Sequence, residues 1–438
     1  MSLHDRDPRL EEAVLAAVRA RLAADPPPLG RTAEPGEFAP AISAGGLGGE
    51  RAAELLLGRL LPAAVQVDHP RYLAFIPSAQ APAAALADVL LSVNSVYGGT
   101  WLEGAGLVHA ENEALAWLAE IAGFPETAGG CFVQGGTNGN LSALHAARAA
   151  ARASGRRATR VACSAEVHSS VRTMLGVMDS GALEVPGERL TGGALREALE
   201  ADGDGVYAVV ATAGTTNLGL IDDLAGIAAV CGERGIWLHV DGAYGLGALC
   251  AESARGRLAG IERADSFIVD PHKWLFSPFD CCALVYREPG LARAAHRQHA
   301  SYLEALYADD AAFNPSDYAV HLTRRARGLP FWFTLAVNGT DAVGEAVETT
   351  LAVTRAGADE IRSRPELELL REPELTVLVF RRRGWGAADY DRWADDLRAA
   401  GTAMVMPTTV GGEAVARLAL VNPRTTVADL RLVLDPMR

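Results

Sequence analysis

Over residues 7–24 apolar side chains recur at helical spacing (Leu10, Val14, Leu15, Val18, Leu22), and the run stops before Pro26-Pro27-Pro28, so a helix followed by a Gly/Pro-rich linker is predicted. A second helical stretch covers residues 50–61. From about Tyr72 to Phe333 the texture changes, with short β-branched or apolar runs alternating with Ala, Leu and Arg-rich segments of helical period. That alternation predicts an α/β domain, a mostly parallel sheet covered by helices. Residues 130–133, 160–163, 206–212, 237–240, 266–269 and 283–286 read as its strands. The first five each run directly into a polar or Gly-rich loop, and an open α/β sheet binds its ligand outside the carboxyl ends of its strands. Residues 331–353 read as a long apolar helix leading out of the domain. A strand at 374–381, a helix at 389–400 and a strand at 415–421 then predict a small α+β unit. The expected division is a helical segment at 1–68, a large domain at 69–335 and a small C-terminal domain at 336–438.

Composition narrows the partner. The 438 residues suit two or three domains, and 49% hydrophobic against 21% charged residues exclude disorder over most of the chain. Forty basic residues against 54 acidic ones give a net charge of -14, which argues against a nucleic-acid surface and for a small-molecule partner. The six cysteines form no CxxC pair and have no His at zinc-ligand spacing, so neither disulfides nor a metal site are expected. The most apolar stretch, residues 79–93, is interrupted by Asp88 and is shorter than the ~18 residues of a membrane span. With charges of both signs at its start and no apolar leader, the chain is expected to be cytoplasmic.

One count points to chemistry. Lys273 is the only lysine; every other basic residue among the 40 is arginine. A guanidinium is always charged and a poor nucleophile, whereas an amine forms Schiff bases. Lys273 lies in Asp270-Pro271-His272-Lys273-Trp274, just past the predicted strand 266–269, where desolvation is expected to lower its pKa and free the lone pair. An aldehyde cofactor, pyridoxal phosphate, is the partner this suggests. Upstream, His239-Val240-Asp241-Gly242-Ala243-Tyr244 ends another strand with a carboxylate suited to a pyridinium nitrogen, and Ala243 is small enough to lie against a ring face. The turn Gln134-Gly135-Gly136-Thr137-Asn138-Gly139-Asn140, between a strand and a helix, suits a phosphate. Val167-His168-Ser169-Ser170 offers an imidazole to stack on a ring, and Gly214-Thr215-Thr216 offers hydroxyls. Each loop alone has an ordinary structural reading as a cap, a turn or a surface residue. Five in one sheet, in this order, point to one site.

In these motifs the sequence resembles the group II pyridoxal phosphate-dependent amino-acid decarboxylases, the aromatic-L-amino-acid, histidine, tyrosine and glutamate decarboxylases among them. His69-Pro70-Arg71-Tyr72 with Pro77, Gly135-Gly136-Thr137-Asn138-Gly139-Asn140, Val167-His168-Ser169-Ser170-Val171, Gly214-Thr215-Thr216, His239-Val240-Asp241-Gly242-Ala243-Tyr244 and Asp270-Pro271-His272-Lys273-Trp274 fall in family order. The resemblance implies a type I aminotransferase-like fold and a cytoplasmic homodimer with active sites shared at the interface. It implies that Lys273 holds the cofactor as a Schiff base, Asp241 pairs with the pyridine nitrogen, and His168 stacks on the ring. Gly136, Thr137, Asn138 and Thr216 would hold the phosphate side, with Ala243, Asp270 and His272 around the ring and lysine. Ile76, Pro77, Gly99 and Trp101 would meet the substrate, the last two from across the dimer. The implied reaction takes an L-amino acid with an aromatic or other bulky side chain to its amine and CO2.

Two departures leave the outcome open. The region 302–321, where the family carries a tyrosine that delivers a proton to Cα, is worded differently here. Tyr307 and Tyr318 are both candidates, and Phe313 lies between them. Relatives with phenylalanine at the key position oxidise and deaminate the substrate, so an aldehyde product is the alternative, as is β-elimination on a sulfur-bearing amino acid. Gly99 stands where related aromatic decarboxylases carry a bulky ring, which suggests an opened pocket. A non-catalytic relative serving as a scaffold is the reading from another class, and retention of Lys273, Asp241 and His168 argues against it.

Overall fold

The computed structural model describes residues 4–77, 79–298 and 313–438. The six predicted strands of the large domain form as β1 (Gly129–Val133), β2 (Arg160–Ser164), β4 (Val206–Thr212), β5 (Trp237–Asp241), β6 (Ser266–Val269) and β7 (Cys282–Tyr286), and are joined by β3 (Gly181–Val185). Their order is β1-β7-β6-β5-β4-β2-β3, parallel except for β7, which pairs antiparallel with both β1 and β6. All seven residues of β4 are buried, as a strand covered on both faces requires, hence its unbroken Val-Tyr-Ala-Val-Val-Ala-Thr run. Strand β3 carries no such signature: it lies at the edge, pairs only with β2, and leaves Gly181, Ala182 and Glu184 exposed.

Helices cover both faces of the sheet, and the strand-to-helix turns fall at one edge. Helix Gly136–Ala153 follows β1, Ser169–Val177 follows β2, and the short Pro271–Trp274 turn follows β6. The predicted N-terminal helix forms at Pro8–Ala23, with Asp7 accepting from the N–H groups of Arg9 and Leu10 and Pro8 in the first turn. The stretch 50–61 is not one α-helix. It is α-helical over Gly49–Leu55, π-helical over Leu56–Leu60 and 3-10 over Leu61–Ala63.

The long helix predicted at 331–353 extends over Leu329–Arg362 and kinks at Gly339, whose φ of 81° only glycine adopts readily. It reaches a four-stranded antiparallel sheet in the order β10-β11-β9-β8, formed by β8 (Leu367–Leu369), β9 (Val377–Arg382), β10 (Thr408–Val410) and β11 (Glu413–Ala419). Among the described residues no helix is long and apolar enough to cross a membrane. All six cysteines are free thiols.

A buried ion pair fixes the segment that precedes the long helix. Arg324 donates from both terminal nitrogens to the carboxylate of Glu111, at 2.7 Å each, and Glu111 also accepts from the Gly328 N–H at 2.8 Å. The two side chains are 0% and 2% exposed, so removing one partner strands a buried charge at a cost of about 3–5 kcal/mol. Arg324→Leu should therefore lower the denaturation midpoint sharply, and Glu111→Leu/Arg324→Leu should recover much of the loss. Equal midpoints for wild type and Arg324→Leu in urea would show that the pair contributes no net stability.

Candidate active site

The polar strand ends are stitched together by backbone. The Ala213 N–H donates to Asp241 O, Gly242 N–H to Ile268 O, Asp270 N–H to Ala243 O and Lys273 N–H to Asp270 O, at 2.8–3.1 Å. These bonds draw the ends of β4, β5 and β6 into one floor. Gly136, which opens the helix after β1, lies against that floor: a Cβ built on it would sit 3.5 Å from both the Ala243 Cβ and Asp270 Oδ2. At the start of this 18-residue helix the Asn138 and Gly139 N–H groups donate back to Gly135 O at 3.0 and 3.1 Å, and the positive end of the helix beside the floor suits an anion.

Lys273 Nζ is 2.9 Å from Asp270 Oδ2, and about a quarter of its side chain (26%) remains exposed. Burial alone pulls the amine's pKa down, but Asp270 and Asp241 outweigh it and the net shift is upward. The expectation that desolvation frees the lone pair is thus corrected: in the cofactor-free protein the ammonium form is favoured. For Asp270, burial pushes the carboxyl up, while Lys273 and His272 pull harder, and its pKa falls below the usual carboxylate range. His272 accepts from the Cys281 N–H at Nδ1 (2.9 Å), which turns Nε2 toward Asp270 Oδ2 at 3.4 Å. Burial lowers its pKa.

Asp241 ends β5 with Oδ1 accepting from the Ala243 N–H at 3.2 Å and Oδ2 accepting from Asn140 Nδ2 at 2.9 Å. His168 caps helix Ser169–Val177, its Nδ1 meeting the Ser170 N–H at 3.2 Å and the Ser170 hydroxyl at 2.8 Å. Lys273, Asp270, His272, Asp241, Ala243 and Gly136 are thereby brought together, with His168 joined to Asp241 through Ser170 and Asn140. Thr137 is exposed, and Asn138 is half-buried and tied to Ser142 Oγ (3.3 Å) and Val320 O (3.5 Å). Thr216 has an exposed side chain, and its carbonyl accepts from Arg417.

The residues expected to meet the substrate fall in two places. Ile76 is half-buried and Pro77 buried, next to Phe75, which is 52% exposed and held at a φ of 52°. Residues 97–101 bind residues 314–324 of the same chain: Gly98 N–H to Arg324 O, Tyr97 Oη to Leu322 O, and Trp101 N–H to Asn314 Oδ1, at 2.8–2.9 Å. At Gly99 no space is open within its own chain, because the Tyr97 ring occupies the position a side chain there would take. Tyr318 is 7% exposed, stacked on Phe313 with ring centroids 4.5 Å apart, and burial pushes its hydroxyl up to about 12. Tyr307 lies outside the described residues.

A family model described as the pyridoxal-dependent decarboxylase conserved domain matches residues 57–383. The chain belongs to this family. Over 381 residues it is 31% identical to the aromatic-L-amino-acid decarboxylase of Bacillus atrophaeus, covering 83% of this chain and 79% of the relative. It is 34% identical over 393 residues to the L-2,4-diaminobutyrate decarboxylase of Rhizobium meliloti, covering 85% and 78%. The crystal structure of Oryza sativa TDC with PLP and tryptamine superposes with a TM-score of 0.90 at 25% identity, covering 100% of this chain and 98% of that one. This decarboxylase therefore uses pyridoxal phosphate to decarboxylate an amino acid. The strand ends fit that cofactor: Gln134 Oε1, Thr212 Oγ1 and Asp270 Oδ1, after or at the ends of β1, β4 and β6, are buried with no hydrogen-bond partner among the described residues.

Sequence reasoning missed the residues that hold these groups from behind. Asn140, Ser170, His239 and Ser266 are all buried and mutually bonded. Arg417, on β11, donates to Thr216 O and Phe75 O at 2.7–3.0 Å; among the described residues its partners are carbonyl oxygens, and burial pushes its pKa down to about 10. Only Asn140 had a local signal, being polar on the inner face of helix Gly136–Ala153 beside buried Ala143, Leu144 and Ala147.

Because Lys273 is the only lysine, the upward shift of its amine is measurable by chemical modification. Asp270→Asn removes the nearer carboxylate while leaving the amine buried, so its pKa should fall. Acetylation of Lys273 in cofactor-free protein, followed by peptide mass spectrometry across pH, should reach its half-maximal rate at least about one pH unit lower in the variant. An unchanged profile would mean that Asp270 does not hold the proton.

Proposed function

We propose that this decarboxylase acts on an L-amino acid with an aromatic or other bulky apolar side chain and releases the amine and CO2. The observation that carries the substrate class is the apolar, partly exposed run Phe75-Ile76-Pro77, backed by the cationic Arg417 through the Phe75 carbonyl. A side-chain ammonium, as in diaminobutyrate, would meet a cation here and no carboxylate among these residues.

Bound pyridoxal phosphate supplies an aldehyde carbon to hold the amine and a ring that accepts the electron pair left by CO2. Lys273 is the residue that holds the aldehyde between turnovers, and Asp270 Oδ2, 2.9 Å away, keeps the lysine proton when the amine is free. Asp241 presents a carboxylate to the ring nitrogen. His168 would stack on the ring, Ala243 would pack against it, and Gly136, Thr137, Asn138 and Thr216 would hold the phosphate. Ile76, Pro77, Gly99 and Trp101 meet the substrate, the last two from a second copy of the chain. The apolar residues left exposed on helices Pro8–Ala23 and Pro82–Asn94 (Val14, Leu15, Leu22, Leu86, Leu90, Val93) support a homodimer. The stacked, buried Tyr318 serves packing in this reading, and Tyr307 delivers the proton to Cα.

The test is a substrate panel with CO2, O2, amine and carbonyl followed together. L-Tryptophan, L-phenylalanine or L-tyrosine should give the highest kcat/KM, with amine equal to CO2 and no oxygen consumed. A preference for L-2,4-diaminobutyrate or L-glutamate would overturn the substrate class. Stoichiometric O2 uptake with an aldehyde, or release of a thiol from a cysteine conjugate, would replace the amine outcome. No CO2 from any amino acid would favour the scaffold reading. Tyr307→Phe should keep CO2 release but gain oxygen uptake, and Tyr318→Phe should leave the product unchanged. Borohydride reduction should place the pyridoxyl group on the Lys273 peptide.

A further inference from the structure

Behind the site runs a buried chain of polar side chains that none of the roles above uses. Trp237 Nε1 donates to Ser266 Oγ at 2.9 Å, and Ser266 Oγ is 2.8 Å from His239 Nδ1. His239 Nε2 is 2.9 Å from Asn140 Oδ1, and Asn140 Nδ2 donates to Asp241 Oδ2 at 2.9 Å and to Ser170 Oγ at 3.3 Å. Ser170 Oγ in turn lies 2.8 Å from His168 Nδ1. Asn140, His239 and Ser266 are at most 1% exposed, so water does not compete for these bonds.

The protons in this chain have one consistent order. A carboxylate only accepts, so the Asn140 NH2 faces Asp241 and its Oδ1 faces His239 Nε2, which must donate; a neutral ring then takes the Ser266 proton at Nδ1, while Ser266 accepts from Trp237. His239 then carries its hydrogen on Nε2 and donates to Asn140 Oδ1. Burial, working against Asp241, pushes the pKa of His239 down to about 4, so the ring is neutral near pH 7. With its oxygen committed to His239, Asn140 turns its NH2 toward Asp241 and Ser170. Ser170 accepts from it and donates to His168 Nδ1, where the Ser170 N–H also points. His168 therefore carries its hydrogen on Nε2.

We infer that Asn140 is a positioning residue, the branch point of a one-directional hydrogen-bond chain from Trp237 that holds the Asp241 carboxylate as an acceptor and fixes the tautomer of His168. The inference rests on the proposed pairing of Asp241 with the ring nitrogen and stacking of His168. An amide suits the branch because one side chain supplies an acceptor for His239 and two donors, one for each site residue.

The first measurement is made on the holoenzyme with 15N-labelled histidine, assigning residues 168 and 239 by difference from His168→Gln and His239→Gln. His239 should show the neutral Nε2–H form at pH 7, and His168 should show Nδ1 as a hydrogen-bond acceptor. An Nδ1–H form at His239 would overturn the chain's direction, and an Nδ1–H form at His168 would remove its end point. The second uses Asn140→Asp, which keeps shape but removes both donors and faces Asp241 with a like charge. The absorption band of the bound cofactor should titrate at a shifted pH, and the apoenzyme should bind the cofactor more weakly. kcat should fall about 10–100-fold with KM within about threefold, the range for loss of a residue that orients a ligand from behind. Ser266→Ala, a milder change two bonds away, should move the same spectral titration in a smaller step, and it serves if Asn140→Asp does not fold. Asp241→Asn separates the two levels. If it matches wild type in spectrum and turnover, the role of Asp241 fails and the inference with it. If it loses turnover while Asn140→Asp and Ser266→Ala keep the wild-type titration and kcat, the role of Asp241 stands and this inference is overturned.

Discussion

A largely buried ammonium paired with one carboxylate and in the field of a second, at the edge where parallel strands end, is the constraint on which the rest of the structure depends. Charges removed from water must be paired and hydrogen-bonded or they unfold the protein around them. Lys273 meets that demand through Asp270 at 2.9 Å and through the more distant Asp241, and each carboxylate in turn needs its own donors. Asp241 finds them in Ala243 and Asn140; Asp270 faces Lys273 and His272. The parallel sheet makes this affordable, since the carboxyl ends of β4, β5 and β6 and the helix start after β1 all face one edge.

The balance of effects at Lys273 shows why burial by itself does not define a reactive amine. Desolvation and the nearby carboxylates act in opposite directions, and here the carboxylates win. An amine that is kept protonated when free is a poor spontaneous nucleophile. Without a free lone pair it also does not add to stray carbonyls, and its proton is held by Asp270, 2.9 Å away. Reactivity then depends on the incoming aldehyde and its surrounding charges, not on a resting neutral amine.

What the sequence made legible followed from residue types that have few structural alternatives. A unique lysine, an aspartate at the end of an apolar strand and a Gly-rich turn each stand out locally, and their order along a βα alternation places them on one edge. The interior strands were legible for the same reason, since burial on both faces leaves an unbroken apolar run, as in β4. Edge strand β3 lacks that run, and the helix at 49–63 already changes its hydrogen-bonding register at Leu56, ahead of both Gly58 and Pro62. The tautomer-setting residues were illegible because nothing in spacing joins Asn140 to His239, 99 positions on, or His239 to Ser266. Single polar residues inside apolar helices and strands read as tolerated exceptions until the fold brings them into contact.

Arg417 extends the same point from the sheet to the small domain. Its guanidinium reaches across from β11 to the carbonyls of Thr216 and Phe75. Two further contacts cross the same boundary: Tyr244, just after the Asp241 loop, bonds Thr376 before β9, and Trp274, next to Lys273, donates to Thr350 on the long helix at 2.9 Å. A guanidinium bonded only to carbonyl dipoles retains more of its desolvation cost than one facing a carboxylate, and its lowered pKa records that cost. The structure accepts it where three planar donors fix two loops at once, which a lysine or a neutral side chain would not do. The loops after the strands of the seven-stranded sheet are thus tied to the long helix and to the four-stranded sheet, elements that contribute none of the strand-end chemistry.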